Sequence, residues 1–514
     1  MRFPRHTPTL HPQRGASLMV MLVILVIGVA ALLVGSLNSS ALNNSRQQQT
    51  AAALAQAKDA LIGRAAADIS VPGSLPCPDN NDDGSADSLG VSDCTRYIGR
   101  LPWRTLGLTE LRDGSGEHLW YALSRNFRDY PSNHINSDTQ GTLNVTGTQT
   151  ANNLVAIVFS AGDPLSGQSR SPSNMAVCAT TSTTVAESLC ASNYLEGSNA
   201  NPSPAATPNV NYQTAATSTF NDQLIFITQD QLFPPVEMRI GREAKHCLDD
   251  YAAAPINGQH YPWAADASDI TLYNSTSNIL FGHLPSVNLT SNDTSVNNML
   301  NALSALQVAA NNCAATSNSS NANALFNAGN TLESAAQYVI SKQPTSPPFS
   351  SSITTPANQA GDKAQDSGRC STINSNPTSN SVQTYLNQTF TALSTSFPFP
   401  WTASCTLPTS TYWADWKNQV FYQIDTAYTP GGGLGVPTLT INGSGTYRAV
   451  VLVARKPING EVRIPSDPTT FLEGGNAHTN PTPNTVFTTY STSNPGYQTV
   501  NDLVLCLDGQ VNCK

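Results

Sequence analysis

The chain has 514 residues, a formal net charge of −9 and 11% charged residues, against the ~25% usual in globular domains. Ser, Thr, Asn and Ala fill the difference, alongside 34 Pro and 33 Gly. This thin charge, with no Lys/Arg cluster after Arg14, excludes nucleic-acid binding and fits an extracytoplasmic strand-and-loop protein better than a cytosolic enzyme.

In chain order, the first feature is a leader over residues 1–15 carrying Arg2, Arg5 and Arg14, followed by an uncharged apolar run over 16–37. As a helix at about 1.5 Å per residue that run spans roughly 33 Å, enough to cross a bilayer core. The preceding positive charges keep that end cytoplasmic and send the remainder across. Leu42, Ala53, Leu54, Ala57, Leu61 and Ile62 then recur at helical spacing, so the helix is expected to continue to about residue 66, within a segment 16–68. Two rival readings stand beside this one: a signal peptide cleaved near 34–36 or 39–41, and a signal-anchor that is never cut.

A first β-rich unit is expected over 69–228. It opens on "CPDNNDDGSADSLG", where Asp79, Asn81, Asp83 and Asp87 occupy positions 1, 3, 5 and 9 of a calcium-loop pattern and Gly84 occupies position 6. Gly90 stands where an EF-hand has its bidentate Glu, so any Ca²⁺ shell must be completed elsewhere; a solvated Asx-turn cluster is the alternative. A second-unit helix over 229–265 follows. Next comes a Ser/Asn/Thr-rich insertion over 266–396 with a helical hairpin (296–312 and 322–342), and then a flexible loop around "QPTSPPFSSSITTPANQAGDKAQDSG". A second β-rich unit closes the chain over 397–514.

The two β-rich units share six motifs in one order. The first has "LPWRTLGL", "HLWYALSRNF", "GTLNVTG", "LVAIVFSAGDPLSGQSR", "NYLEGSNA" and "FNDQLIFI". The second has "FPWTASCT", "QVFYQIDTAY", "PTLTING", "AVVLVARKPINGEVR", "TFLEGGNA" and "VNDLVLCL". An internal duplication follows. Glu196 and Glu473, in the repeated Leu-Glu-Gly-x-Asn-Ala motif, read as residues tying a loop to backbone amides rather than as catalytic groups, since no partner carboxylate or His is evident at a repeated position.

All ten Cys lie beyond the apolar run and read as disulfides of an oxidising compartment. Short separations favour Cys77–Cys94, Cys178–Cys190 and Cys506–Cys513. The eight His are scattered, and no nucleophile elbow, P-loop or dinucleotide fingerprint occurs, so no enzymatic activity is expected. His118 reads as a strand-edge residue, and Trp103, Trp263, Trp401, Trp413 and Trp416 as packing groups rather than a sugar platform.

The stretch "QRGASLMVMLVILVIG" resembles the leader of type IV pilins and type II secretion pseudopilins. That resemblance implies cleavage by a prepilin peptidase between Gly15 and Ala16. Ala16 replaces the usual Phe, and Val20 replaces the Glu that in the family is thought to neutralise a neighbouring subunit's N-terminal ammonium. A tip or sparsely incorporated subunit suits the missing carboxylate, and the large tip pseudopilin and several minor pilins lack it too. "LPCPD…GRLPWRTLGL…LWYALS" also resembles large, poorly described prepilin-like proteins of Gram-negative bacteria. The resemblance implies an α+β fold with a long N-terminal membrane-spanning helix and two repeated pilin-like helix-plus-antiparallel-sheet units with the hairpin insertion. It implies a minor pilin or pseudopilin-like subunit for assembly, priming or tip presentation of a type IV pilus or type II secretion filament. Its expected partners are other pilins or pseudopilins, the inner-membrane assembly platform, the prepilin peptidase and inner-membrane lipid before assembly. The expected place is the inner membrane, single-pass with the C-terminal part periplasmic, then the filament or cell surface. A membrane-anchored adhesin, carbohydrate-binding or hydrolytic protein is the rival reading.

Overall fold

The computed structural model describes residues 16–514 except 91, 179–183, 201–210, 216, 218, 290–293, 343–349, 367–369, 371–380, 459, 479–483, 491–498 and 509–514. The fold is α+β, with seven α-helices and several sheets among the described residues. The chain divides into two units. The first comprises Met1–Arg64, Ser74–Pro131 and Gln140–Gln231; the second comprises Ala65–Gly73, Ser132–Thr139 and Leu232–Lys514.

In the first unit, helix α1 (Ala16–Ala67) forms from an Ala-, Leu- and Gln-rich run without Pro. Ala53, Leu54, Ala57 and Leu61 are buried along one stripe of its later turns. Thr50 Oγ1 accepts from the Gly114 amide at 2.9 Å, and Lys58 Nζ donates to Gln231 Oε1 at 2.8 Å. An antiparallel sheet runs β1 (Ile98–Arg100), β2 (Trp120–Leu123), β5 (Ala156–Ser160), β9 (Gln223–Ile227). A smaller sheet pairs β3 (Leu143–Gly147) antiparallel to β4 (Ala151–Leu154) and parallel to β8 (Asn211–Thr214). Trp120, Ile157, Phe159, Val145, Tyr194, Leu195 and Tyr212 share one core. A ribbon of β6 (Met175–Val177) and β7 (Thr184–Ala186) completes this unit's strands.

The second unit repeats this plan. Helix α2 (Gln229–Ala253) lies against a sheet ordered β10 (Ala265–Asp266), β11 (Phe281–His283), β12 (Val420–Ile424), β15 (Ala449–Val453), β17 (Leu503–Leu507). Gly241 permits that approach, because a Cβ there would lie 2.7 Å from Leu505 Cδ1 and 3.1 Å from Val453 Cγ2. A smaller sheet again pairs β13 (Leu439–Ile441) antiparallel to β14 (Ser444–Tyr447) and parallel to β16 (Val486–Phe487). The strands matched by the repeated motifs, β5 and β15, hold the same place in the two sheets, each antiparallel to two neighbours and buried throughout. Register agrees as well: Trp120 faces Phe159, and Phe421 faces Leu452. Residues 132–139 fold with the second unit, where Ser137 Oγ donates to Ala454 O at 2.8 Å.

The insertion is larger than a hairpin. Helices α3 (Thr294–Ala315), α4 (Ser319–Lys342), α5 (Ser351–Ala364) and α6 (Val382–Ser396) bury their own core of Leu303, Leu306, Leu332, Ile353, Leu386 and Leu393. The segment read as a flexible loop thus contains α5. Its helix is carried by Ile353, Ala357, Ala360 and Ala364, all buried, and by Gly361 meeting Gly329 of α4 so closely that a Cβ on either would strike the other helix.

The membrane assignment needs correction. Among the described residues no helix is long and apolar enough to cross a membrane. Although α1 is 52 residues long, its later turns carry Ser45–Gln49, polar throughout, and the charged Arg46, Lys58, Asp59 and Arg64. The membrane-spanning first helix and the single-pass inner-membrane placement are withdrawn on that finding. Ala16 begins α1, while Gly15 and the leader lie outside the described residues.

Candidate functional site

The repeated motifs converge on one buried polar network per unit. In the first unit, the chain leaves β5, turns, and returns with Arg170. Its guanidinium donates to Gly162 O (2.8 Å) and Asn193 O (3.0 Å), pairs with Glu117 (3.0 Å) and lies 4.5 Å over the Tyr194 ring. Next in the chain, Glu196 Oε2 accepts from the Asn221 and Asp222 amides at 3.0 and 3.1 Å. Asp222 Oδ2 in return accepts from the Glu196 amide (2.9 Å) and from Asn199 Nδ2 (3.0 Å). Asn199 also brackets β8, accepting from the Gln213 amide and donating to Gln213 O.

The second unit builds the same network from the matched residues. Arg463 donates to Arg455 O and Thr470 O and lies 4.9 Å over the Phe471 ring. Glu473 Oε2 accepts from the Asn501 amide at 3.2 Å; Asp502 Oδ2 accepts from the Glu473 amide at 3.0 Å and from Asn476 Nδ2 at 2.9 Å. Asn476 brackets Thr488 as Asn199 brackets Gln213. Even the outer contact recurs, with Asn221 Nδ2 donating to Asp163 O and Asn501 Nδ2 to Lys456 O. Loops this close to a core carry backbone groups that must be paired, and these side chains pair them.

One matched position differs in chemistry. Gln168 Nε2 donates to Glu196 Oε1 at 2.7 Å. Two residues before Arg463, as Gln168 is before Arg170, stands Glu461, which has no proton to give as a carboxylate, and Glu473 Oε1 is buried without a donor. Burial pushes the Asp222 carboxyl up to about 8; the Glu196 amide and Asn199 oppose this and the Glu196 carboxylate reinforces it. Burial, then the neighbouring Glu473 charge, raises Asp502 well above the usual carboxylate range, and burial raises Glu473 with Glu461 adding to it. Asp502 is fully buried beside Glu473, and each keeps one carboxyl oxygen that no donor reaches, an arrangement that favours a proton on the pair.

The partner carboxylate not evident in the sequence is therefore Asp222 in one unit and Asp502 in the other. Its signal was available: Asn-Asp precedes the last strand in both "FNDQLIFI" and "VNDLVLCL". Glu196 and Glu473 do bind backbone amides, as read from the motif.

The four proposed calcium ligands share a loop, and their oxygens accept hydrogen bonds within it. Asp79 is buried; its Oδ1 accepts from the Asn81 and Asp82 amides (3.0 and 2.8 Å), and its Oδ2 from the Gly84 amide (2.6 Å). Asp83 Oδ1 takes the Ser85 amide at 2.7 Å and its Oδ2 the Asn81 side chain at 3.0 Å, while Asp87 takes the Asn80 amide at 2.9 Å. Among the described residues, no group of three or more His, Cys, Asp or Glu side chains is placed to hold a metal ion.

Disulfides join Cys77–Cys94 and Cys178–Cys190, and also Cys247–Cys405 and Cys313–Cys370, whose separations of 158 and 57 residues no spacing argument reaches. Cys506 is disulfide-bonded, and Cys513 lies outside the described residues. His118 is half-buried between Asp82 (2.7 Å) and Glu110 (2.6 Å), whose hydrogen bonds raise its proton affinity. Both ring nitrogens are thereby occupied by carboxylates. Comparison with known proteins finds no matching family model, no similar curated protein and no similar solved structure.

Proposed function

We propose that this chain is a minor pilin- or pseudopilin-like structural subunit, acting through protein–protein contacts in the assembly, priming or tip presentation of a filament. The observation that carries the reading is the division of α1. From Thr50 onward one stripe of the helix is buried, whereas residues 41–49 are all exposed, and Met21, Leu25 and Leu42 are 74%, 64% and 65% exposed. A helix with protruding apolar side chains gains most from packing on other helices. The Arg14-Gly15-Ala16 junction ahead of it, and the doubled helix-on-sheet plan, support the same reading.

Mass-spectrometric sequencing of the N-terminus in cells that express a prepilin peptidase tests it. The expected N-terminus is Ala16. An N-terminus at Met1, or one beyond Gly35, would overturn the reading. A second reading, surface adhesion, is favoured by the insertion, whose four helices have their own core and the Cys313–Cys370 bridge.

A further inference from the structure

The two carboxyl networks hold equivalent loops, but their surroundings differ at one contact. In the first unit, both oxygens of Glu196 have donors: the Asn221 and Asp222 amides on one, Gln168 on the other. In the second, Glu473 Oε1 is buried without a donor, whereas the outer oxygen of the Asp, Oδ1 of Asp222 or Asp502, lacks one in both units. The charged groups around Glu473 are Arg463, whose charge favours the Glu473 carboxylate, Arg455, Lys456 and Glu461. Arg463, from the turn after β15, has its guanidinium on the carbonyls of Arg455 and Thr470 and on Asp138 at 3.3 Å. Arg455 is paired with Glu237 of α2 at 2.5 Å and lies over Tyr490. Lys456 meets this network through its backbone oxygen, which accepts from Asn501. Glu461 adds a negative charge. Asn476 and the Asn501 and Glu473 amides supply the remaining donors.

We propose that Glu473 and Asp502 form a proton-operated clasp on the segment 472–477, tighter in acid than in alkali, and that Gln168 moderates the same dependence in the first unit. The sign follows from where protons bind. The clasped state holds a proton that an opened loop, with ordinary carboxylates, releases above about pH 4, so clasping weakens as pH rises. Each proton held only by the clasped state weakens it about tenfold per pH unit. In the second unit burial raises both Glu473 and Asp502, which makes its dependence the steeper one.

Hydrogen exchange of the full chain between pH 5 and pH 8.5, corrected for intrinsic chemical exchange, reads this directly. Protection of 472–477 should fall with rising pH more steeply than protection of 195–200. Glu461→Gln, at an exposed position, should give Glu473 the donor that Glu196 has and flatten the dependence of the second loop. Gln168→Glu should steepen that of the first. Asp502→Asn, which donates without a titrating proton, should remove most of the second loop's dependence while keeping it protected at pH 5. Equal slopes in the two wild-type loops, or slopes unmoved by Glu461→Gln and Gln168→Glu, would overturn the clasp.

Discussion

The two units hold the same network with different charges around it. What they share is backbone pairing. Arg170 and Arg463, Asn199 and Asn476, Glu196 and Glu473, and Asp222 and Asp502 all engage backbone groups at matched positions. They differ at other matched positions. Gly162 in the first unit corresponds to Arg455 in the second, and Arg100 on β1 corresponds to His283 on β11. Arg100 lies 4.3 Å over Trp120, and His283 lies 4.3 Å from the matched ring of Phe421. An unpaired buried backbone group costs about as much in either copy, which is why these four side chains recur. Electrostatic partners have been free to change.

The largest expected contrast tests that distinction at Arg455. Its ion pair with Glu237 is buried, with side chains 9% and 2% exposed. The first unit has no arginine at the matched position, and Arg46–Asp163 there is 57% and 67% exposed at 3.5 Å. Glu237→Ala, which leaves Arg455 buried without its carboxylate, should destabilise the second unit by about 3–5 kcal/mol. Asp163→Ala should cost about 0–1 kcal/mol. Urea unfolding of the two variants decides it, and similar losses would remove the contrast.

A somewhat smaller effect separates Arg100 from His283. Burial lowers the His283 imidazole from 6.5 to about 4, with Lys417 adding to the shift and the hydrogen bond to Val420 O opposing it. The unfolded chain therefore binds a proton that the folded second unit refuses. Stability from this group is complete above about pH 6.5 and is lost as pH falls toward 4, by roughly 3 kcal/mol at the lower end. Because Asp502 and Glu473 shift stability the opposite way, the measurement is a difference. The unfolding midpoint of His283→Phe, compared with wild type from pH 7 to pH 4, should show the variant losing less. Parallel curves would show that the ring is protonated inside the fold.

These contrasts also show which parts of the structure could be read from sequence. The paired strands were legible because "LVAIVFSA" and "AVVLVA" are apolar on both faces, and the ordered motifs fixed their equivalence. Glu196 and Glu473 were legible as loop ties, but their partner was not: an Asp at the start of an apolar strand reads as a turn residue until a fold buries it beside a Glu. Helix α5 was hidden by the Ser, Thr and Pro around it, since its buried face uses Ala and Gly, which give weak periodicity. The reach from Cys247 to Cys405 depends on the insertion returning the chain, which no local pattern encodes.

The smallest effect concerns the loops that precede β1 and β11. In the second unit Asp269 Oδ1 accepts from the Leu272 amide at 3.0 Å and Oδ2 from the Asn274 amide at 2.7 Å, without any calcium-like spacing. Asp79 does the same work in the first unit for three amides, in a segment that Cys77–Cys94 closes with Cα atoms 5.4 Å apart. Three of the roughly four acceptor sites of Asp79 are taken by amides, which leaves one on Oδ2 for a cation, whereas Asp83 is exposed and its bonds are local. Asp79→Ala should therefore cost about 1–3 kcal/mol, because it leaves amides unpaired. Asp83→Ala should stay within about 0.5 kcal/mol of wild type. Melting curves in millimolar calcium and in EDTA should coincide for wild type and for both variants, with the disulfides intact. A calcium-dependent rise in Tm that Asp83→Ala abolishes would make this loop a metal site, and would set it apart from the loop of Asp269.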